Sequence, residues 1–577
     1  MLCAPHGSAL EHFAIAAEKL TASVTLGHAS LHATLPCWPI RCYPVGLVDE
    51  SERAGRPKFR LTSDLSWPHA GALPDGSGGF VDSVNAAMRR YEWPTNRLPR
   101  ASELAEAAAV LQSSGEACKA WGFDCKAYYR RHGRQLSQLW RNAVAALDGF
   151  IVDERCCFGS AADAVKCSRL SNFIAWRVRR ALRAVDQRYP PQSASVLSWL
   201  AERHAAAVAA GVSDEDELDC FMSLSSFGIY IDDAAATSID DAIFDGDGVP
   251  LVRDGVHLHR AQLHWEAALA ELAALGYESE PSKEQPPGDR LEVLGVGINL
   301  ETRRLTLLPP KRKAYAERAS AMAARDVCSK AEVLALLGRL SFASCCFPRG
   351  RSWLNAAWRS LRATYRLSSA EGLIKLSPAA REGFARWAAE LKSEQHDGVP
   401  LASRAMGAVG DAGVGVIYAD ASDVGFAAWT VHERELVYVV GEWSAVVRDT
   451  VPIHGKELQA STLGLIALAP ECGWRDVYSF TDNIVAQYAM RDGTSRSHEM
   501  QPLIARRSSW MLQHGILEAS ERITSKANLW ADLGSREQIS EVVRQAAALG
   551  FSERRLPLPA GWMEAFEADW KSRPADA

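Results

Sequence analysis

The segment Phe227–Ala236 reads Phe-Gly-Ile-Tyr-Ile-Asp-Asp-Ala-Ala-Ala, and it decides the fold of the region around it. An apolar run enters two adjacent aspartates, Asp232 and Asp233, and continues at once into small residues, which is typical of two strands joined by a tight turn. Two carboxylates at one turn repel each other unless a divalent cation lies between them. Taken alone, adjacent aspartates are more often an ordinary solvated turn.

A third carboxylate lies upstream, where Asp124 closes the apolar run Trp121–Phe123. If the two runs are neighbouring strands of one sheet, Asp124 lies beside Asp232. Three clustered carboxylates hold two magnesium ions, one lowering the pKa of a primer 3′-hydroxyl and the other bridging a nucleoside triphosphate. The sequence therefore predicts a site for phosphoryl transfer.

Tyr230–Asp233 resembles the Tyr-x-Asp-Asp signature of reverse transcriptases, and Asp124 falls where that family has its first metal ligand. The stretches 58–66 and 83–85 resemble the family's fingers motif, whose basic residues grip the triphosphate. Order and spacing agree from about residue 56 to residue 366. The likeness is greatest to retrotransposon enzymes of the DIRS and gypsy types.

The resemblance implies roles for further residues. Tyr129 would be the steric gate, because a ring there collides with a ribose 2′-hydroxyl; without the family, Tyr128 and Tyr129 are simply packing aromatics. Lys283 matches loosely a lysine that protonates pyrophosphate, and a solvated lysine is an equal alternative. The implied deoxynucleotide-binding residues are Lys58, Arg60, Tyr129, Phe158 and Gly159. The implied template and primer contacts are Leu294, Gly295, Lys311, Arg312 and Lys313.

A second set of acidic residues follows residue 412, where the pattern changes to three successive strands, a helix, a strand, two helices, a strand and a helix. This order would bring the acids to one sheet edge, where two metal ions activate water against a phosphodiester. Each acid taken singly is more often a surface residue. The four are Asp420, Glu457, Asp482 and Asp532.

The order of these elements resembles the RNase H fold, and the acids resemble its Asp-Glu-Asp-Asp set of metal ligands. The segment Asn528–Arg536 is similar to the closing motif of the retrotransposon enzymes, with Gly534 in place of a leucine. Arg522 stands where many relatives have histidine, so the resemblance leaves a proton-shuttle role there open.

The net charge of −6 weakly disfavours a nucleic-acid partner. The charged residues are unevenly distributed, however, and one segment is strongly basic. Residues 303–366 contain fourteen Lys or Arg and three acidic residues, a local excess of +11. Phosphate binding depends on local potential, so this segment is a candidate nucleic-acid track. A solvated basic helical surface explains the composition equally well.

Length and composition predict a multidomain protein of α/β and α+β class: a right-hand polymerase of fingers, palm and thumb, followed by an RNase H-like domain. The 577 residues exceed what one core supports, and 47% hydrophobic with 23% charged residues is ordinary for a globular chain. The predicted divisions are an N-terminal extension 1–57, fingers and palm 58–302, a basic helical thumb 303–395, a linker 396–412, the RNase H-like domain 413–545 and a tail 546–577.

The predicted function is RNA-directed DNA synthesis with cleavage of RNA in the resulting hybrid. The cofactors would be two Mg²⁺ at each site, with Mn²⁺ as an alternative. The partners would be an RNA template, a DNA primer, the hybrid and deoxynucleotides, with no membrane. The absence of a secretory pattern near Met1 and of zinc-type cysteine spacing favours an intracellular protein, cytoplasmic or nuclear. The rival hypotheses are a decayed element copy that binds nucleic acid without turnover, and a cellular polymerase unrelated to transposition.

Overall fold

The computed structural model has a mixed architecture of helices and sheets in two compact units, Met1–Leu294 with Ile298–Glu301, and Gly295–Gly297 with Thr302–Ala577. No helix among the described residues is long and apolar enough to cross a membrane. The described residues are 3–37, 40–49, 51, 57–69, 73–74, 80–81, 83–86, 98–146, 148–209, 212, 222–347, 350–365, 372–394, 398–401, 414–495, 497 and 500–571.

The first unit combines six described helices with antiparallel sheets. Its helices are α1 Gly7–Glu11, α2 Phe13–Thr25, α3 Ala101–Gln112, α4 Ala161–Arg188, α5 Ala194–Ala209 and α6 Arg260–Ala274. Its strands are β1 Ala29–His32, β2 Val45–Asp49, β3 Phe59–Ser63, β4 Leu73–Pro74, β5 Phe80–Val81, β6 Cys118–Asp124, β7 Ala143–Ala146, β8 Gly149–Asp153, β9 Ser225–Tyr230, β10 Asp233–Ile239, β11 Val252–Arg253, β12 Val256–His257, β13 Gln285–Gly288 and β14 Arg290–Val293.

The central sheet of the first unit has the strand order β13-β6-β10-β9. Strands β9 and β10 form the hairpin that the sequence predicts, with Tyr230 paired to Asp233 across a two-residue turn. The side of the sheet that carries Trp121 and Phe123 packs on α4 and α6, where Val178 and Leu272 are buried. This core holds the hairpin against β6.

The described N-terminal residues are part of the first compact unit, and the predicted division at residue 57 stays a prediction. Strand β1 pairs with β8, and β2 pairs with β3. Tyr43 and Val45 lie in one buried cluster with Leu65 and Ile151. The sequence shows no clear period here because each element is short and finds its partner far along the chain.

The second unit begins in the hairpin region that contains β15 Val296–Asn299. Its remaining strands are β16 Arg304–Leu307, β17 Val327–Ser329, β18 Leu373–Lys375, β19 Val399–Pro400, β20 Val414–Ala421, β21 Gly425–His432, β22 Glu435–Glu442, β23 Asp476–Thr481, β24 Leu517–Arg522 and β25 Ser552–Arg555. Its helices are α7 Pro309–Ala323, α8 Lys330–Ala343, α9 Gly350–Trp353, α10 Asn355–Tyr365, α11 Pro378–Lys392, α12 Ala445–Thr450, α13 Ile453–Glu471, α14 Ile484–Asp492, α15 Gln501–Gln513, α16 Leu529–Ser535, α17 Ile539–Ala548 and α18 Trp562–Lys571.

The large sheet of the second unit has the order β24-β23-β20-β21-β22-β25. The meander β20-β21-β22 is antiparallel, and β23 joins β20 in parallel. Helix α13 crosses this sheet so closely that a Cβ on Gly464 would lie 2.4 Å from the Cβ of Ala428. Only glycine permits that approach, which brings the first turn of α13 to the sheet edge.

Elements near two of the predicted divisions pack within the second unit. In the described part of 546–577, β25 extends the sheet beside β22, and Phe566 and Trp570 of α18 are in the core. Most of the predicted linker 396–412 lies outside the described residues, but Val399–Pro400 pairs with β16 as a short strand. The divisions of the chain into domains stay predictions.

Candidate active sites

The first-unit aspartates lie at the open end of the β6–β10 pair. Asp124 and Asp233 are directly opposite each other in the antiparallel register. Residues opposite each other project to the same face with Cβ atoms about 5 Å apart. The backbone N–H of Cys125 donates to the carbonyl of Asp232 at 2.8 Å, which ties the hairpin turn to the end of β6. The register thus places Asp233, rather than the predicted Asp232, directly opposite Asp124, with Asp232 in the adjoining turn.

The turn itself is strained. Ile231 has a φ of 61°, a left-handed conformation that costs a β-branched residue roughly 1–3 kcal/mol. Two contacts hold it: the Ile231 side chain packs on the core, and its carbonyl accepts a hydrogen bond of 2.7 Å from the Ser171 hydroxyl of α4. Ser171 is therefore a supporting residue that no sequence pattern marks.

The clustered carboxylates at the turn create a local negative potential that favours a bound cation. Burial, and after it the neighbouring Asp124 carboxylate, raise the pKa of Asp232 to about 6. The Lys283 ammonium donates to Asp124 Oδ2 at 2.7 Å and lowers the pKa of Asp232. Lys283 thus reaches the carboxylate pair, which distinguishes it from a purely solvated lysine.

The residues predicted to bind the nucleotide form a layered contact. The Tyr129 ring is buried with its centroid 4.2 Å from that of Phe158, and the Arg60 guanidinium carbon lies 5.8 Å from the Phe158 centroid. Phe158 is 48% exposed, so this stack has an open face. Lys58 is exposed at the start of the strand that holds Arg60.

Gly159 completes this wall of the site. Its φ is 97°, and a Cβ there would lie 1.9 Å from the carbonyl oxygen of Ser63 at the end of β3. Glycine is therefore required for the backbone to turn past the strand. Asn85 donates to the Gly159 carbonyl at 2.7 Å and accepts from the Ala161 amide at 2.9 Å, holding the turn at the start of α4.

Tyr128 and Tyr129 have different environments. The Tyr128 hydroxyl lies 3.0 Å from both the Cys167 carbonyl and the Ser171 hydroxyl, inside the core. Its role is structural. The Tyr129 ring instead lies against the half-exposed Phe158 ring.

The predicted template and primer contacts divide into structural and exposed residues. Leu294 and Gly295 have φ values of 55° and 87°, as a tight turn requires. Arg312 is partly buried, and its Nε donates to the Leu391 carbonyl at 2.7 Å, so it holds the C-terminal end of α11. Lys311 lies 4.8 Å from the Phe342 ring, whereas Lys313 is exposed. Of the three cations, Lys313 is the one that is exposed to solvent.

The second-unit acids converge more closely. Asp420, Glu457 and Asp482 form the only group of three among the described residues whose ligand atoms all lie within 4.8 Å of one another. Asp420 is near the end of β20, Glu457 is in the first turns of α13, and Asp482 follows β23. We call these three residues the acidic trio. Asp420 and Glu457 are 3% and 4% exposed, so their mutual repulsion is poorly screened.

Burial and neighbouring charge shift the pKa values of the acidic trio strongly. Burial, and then Asp420 and Asp482, raise the pKa of Glu457 to about 9. Burial raises the pKa of Asp420 to about 7, against a 2.7 Å hydrogen bond from the Ser535 hydroxyl. The carboxylate oxygens of two buried acids and the partly buried Asp482 are hard ligands of the kind that Mg²⁺ prefers, so the trio fits a divalent ion and could hold one.

Asp532 lies outside the acidic trio. Its carboxylate forms an ion pair of 2.8 Å with Arg536, one helical turn away. Arg522 is exposed, and its Nε donates to the Asp482 carbonyl at 3.0 Å. The Ser525 hydroxyl donates to Asp482 Oδ2 at 2.6 Å. Ser525 and Ser535 thus orient Asp482 and Asp420. Of these two serines, only Ser535 lies within the motif Asn528–Arg536 that the sequence marks.

The raised pKa values predict an unusual dependence of stability on pH without metal. Between about pH 4.5 and 9, folded Glu457 retains a proton that the unfolded chain has released, so stability falls as pH rises. Glu457→Gln removes this loss. We expect the variant to be more stable than wild type in EDTA, by a margin that widens from pH 5 to pH 9 and narrows with excess Mg²⁺. Each kcal/mol should shift the melting temperature by about 2–4 °C.

Calorimetric melting in EDTA across this pH range measures the effect. Asp449→Asn, which changes an exposed acid on α12, is the control and should show no widening margin. A Glu457→Gln variant that melts at or below wild type at every pH would contradict the repulsion.

Comparison with known proteins gives distant structural neighbours. No family model matches the sequence. No curated protein matches it either. A foamy viral protease-reverse transcriptase in complex with an RNA/DNA hybrid is 12% identical with a TM-score of 0.39, and the match covers 90% of this chain and 54% of that one. The same viral protein in complex with dsDNA is 12% identical with a TM-score of 0.37, covering 90% and 84%.

A third neighbour is the native protease-reverse transcriptase of prototype foamy virus, at 11% identity and a TM-score of 0.28, covering 90% of this chain and 54% of that one. The chain thus spans about half the length of two of these neighbours. TM-scores this low describe only a loose overlap between the two folds.

Proposed function

We propose that this protein is an RNA-directed DNA polymerase that also cleaves RNA in an RNA–DNA hybrid. The observation that carries the proposal is the hairpin turn of Asp232 and Asp233, tied to the end of the strand that bears Asp124. Carboxylates on two adjacent strands, beside an open aromatic wall and a lysine, suit a nucleotidyl-transfer site. Phosphoryl transfer needs mainly positioning and neutralisation of charge, and these residues supply both.

In this proposal Asp124, Asp232 and Asp233 would hold Mg²⁺, which when bound neutralises the triphosphate and lowers the pKa of the primer hydroxyl. Lys283 contributes positive charge at Asp124. The strained Ile231 turn, held by Ser171, fixes the direction of the two hairpin carboxylates. Positioning of this kind, together with neutralisation of charge, supplies most of what a protein contributes to such a reaction.

The wall of Tyr129 and Phe158 would select the sugar. We expect Tyr129→Val to raise ribonucleotide incorporation relative to deoxynucleotide by roughly tenfold or more, because the ring that excludes the 2′-hydroxyl is lost. Single-nucleotide insertion assays with matched rNTP and dNTP measure the ratio.

Two control variants separate the gate from general packing. Tyr129→Phe keeps the ring and should keep the discrimination. Tyr128→Phe removes only the internal hydrogen bonds of the neighbouring tyrosine and should leave sugar selection unchanged. Loss of discrimination in Tyr128→Val, which removes the ring, with none in Tyr129→Val, would move the gate to Tyr128.

The acidic trio supports the second activity. Asp420, Glu457 and Asp482 would hold Mg²⁺, which when bound activates water against a phosphodiester. Asp532, beside its Arg536 partner, remains a predicted fourth ligand. A polymerase that copies RNA leaves a hybrid, and a nuclease that removes the RNA strand allows second-strand synthesis. The two proposed activities therefore complement each other.

Primer extension on poly(rA)/oligo(dT) with Mg²⁺, using the purified full chain, tests the proposal. Extended DNA is the expected result. Binding of the hybrid without extension in Mg²⁺ or Mn²⁺ would favour the decayed, non-catalytic copy. Extension on a DNA template with none on RNA would favour the cellular polymerase.

A further inference from the structure

Helix α4 has an exposed stripe that neither proposed active site uses. It consists of side chains spaced three and four residues apart, so they follow one face of the helix for about 21 Å. All five are exposed to solvent. We call this face the α4 stripe, and its members are Lys166, Arg169, Phe173, Trp176 and Arg180.

The centre of the α4 stripe is an exposed aromatic pair. Phe173 and Trp176 are 47% and 43% exposed, with ring centroids 5.9 Å apart and planes inclined by 31°. The guanidinium of Arg180 lies 5.0 Å from the Trp176 ring. The opposite face of α4 is anchored by Ile174 and Val178, which are 1% and 0% exposed, so the helix cannot turn the aromatics inward.

The charge of the stripe is not compensated along its own helix. Both acids of α4 face inward: Asp163 pairs with Arg134, and Asp186 pairs with Arg260. Arg169 and Arg180 form no ion pair within the described part of the chain. On a chain with a net charge of −6, this is a local concentration of positive charge around two open rings.

We propose that the α4 stripe binds single-stranded nucleic acid, with unpaired bases stacked on Phe173 and Trp176 and phosphates on the flanking cations. Aromatic faces interleaved with cations are the means by which proteins bind single strands without regard to sequence. A duplex fits less well because its bases already stack on each other. A second copy of this chain would place arginine against arginine in a twofold interface, which repulsion disfavours.

Hydrogen bonds connect α4, the helix that carries the stripe, to the hairpin of β9 and β10. From the same helix, Ser171 donates to the Ile231 carbonyl, and Arg179 Nε donates to the Phe227 carbonyl at 3.0 Å. A strand on the outer face would lie about one helix diameter, roughly 10 Å, from these contacts. This surface lies outside both proposed active sites, and its binding does not depend on either activity.

Fluorescence anisotropy with labelled 15-mers of oligo(rU) and oligo(dT), on the full chain, tests the proposal. Phe173→Ala/Trp176→Ala should weaken binding of both probes by roughly tenfold or more, because stacking on each ring is lost. Binding of a blunt RNA–DNA duplex should be unchanged. Because nearly half of each side chain is exposed, the variant should stay folded, which a thermal melt of the same preparation checks.

The contribution of Arg169 and Arg180 is measured separately, from the dependence of affinity on salt. Arg169→Ala/Arg180→Ala should reduce the slope of log affinity against log salt by about 1.4, because each lost phosphate contact to a single strand removes about 0.7. Arg169→Lys/Arg180→Lys should keep the slope. Arg544→Ala/Arg555→Ala removes two exposed arginines from the second unit and is the charge-matched control.

Three results would overturn the proposal. One is single-strand affinity within twofold of wild type in Phe173→Ala/Trp176→Ala. Another is an equal loss in the charge-matched control, which would indicate a nonspecific effect of net charge. The last is unchanged single-strand affinity together with loss of sedimentation with phosphatidylserine vesicles, which would assign the stripe to a lipid surface. Primer extension of the same variants, measured separately, distinguishes failure of this inference from failure of the proposed polymerase.

Discussion

Asp232→Asn is expected to abolish DNA synthesis while leaving the chain folded. An amide is neutral and a poorer ligand for a hard cation, so the proposed metal site would lose charge at the turn. A loss of about 4 kcal/mol of transition-state stabilisation corresponds to about 10³-fold in rate. Since burial and neighbouring carboxylates raise the pKa of Asp232 to about 6, removing its charge also relieves repulsion, and stability should not fall.

Steady-state primer extension with Mg²⁺ and a thermal melt of the same preparation measure both effects. Asp247→Asn, on an exposed loop of the first unit, is the matched control and should extend primers normally. Extension by Asp232→Asn within about tenfold of wild type would remove Asp232 from the metal site, because less than about 1.4 kcal/mol would then depend on its charge.

Glu457→Gln and Asp482→Asn are expected to stop cleavage of RNA in a hybrid and to spare primer extension. Each variant replaces one member of the acidic trio, whose ligand atoms lie within 4.8 Å of one another, so the loss should again be on the order of 10³-fold. Synthesis should continue because Asp124, Asp232 and Asp233 belong to the other compact unit.

A 5′-labelled RNA strand annealed to DNA reports cleavage, and extension of a DNA primer on the same RNA reports synthesis. Asp449→Asn is the control for loss of an exposed acid on α12 of the second unit. Should both activities fall together with an unchanged melting temperature, the two sites would not be independent. Cleavage that persists in both trio variants would point instead to a contaminating nuclease or a different site.

Sequence patterns were sufficient to predict those strands and turns whose formation depends on residues close together along the chain. The hairpin of β9 and β10 follows from an apolar run, two aspartates and small residues, and the structure has that turn. The successive strands after residue 412 also have their predicted order, since each is a separate periodic run. Such features reflect periods of 2 and 3.6 residues, which are local properties.

Sequence patterns were insufficient to predict short strands whose pairing partners lie far away along the chain. The N-terminal residues lack a period because β1 and β2 are four and five residues long and are completed by β8 and β3. The C-terminal strand β25 similarly depends on β22, more than a hundred residues earlier. Pairing of this kind is selected by packing of the whole domain, which no local window contains.

The candidate sites show the same division. By itself, the sequence predicted Asp124, Asp232 and Asp233 and the acids of the acidic trio as site residues, because each lies near the end of an apolar run or the start of a helix in a recognisable motif. Only the tertiary structure decided that Asp532 pairs with Arg536 outside the trio, and that Arg312 holds the end of α11. The tertiary structure likewise decided that the α4 stripe is exposed, because the opposite face of that helix is buried in the core. The physical reason is that residue types specify what a side chain can do, whereas its partners depend on which distant segments packing brings within a few ångströms of it.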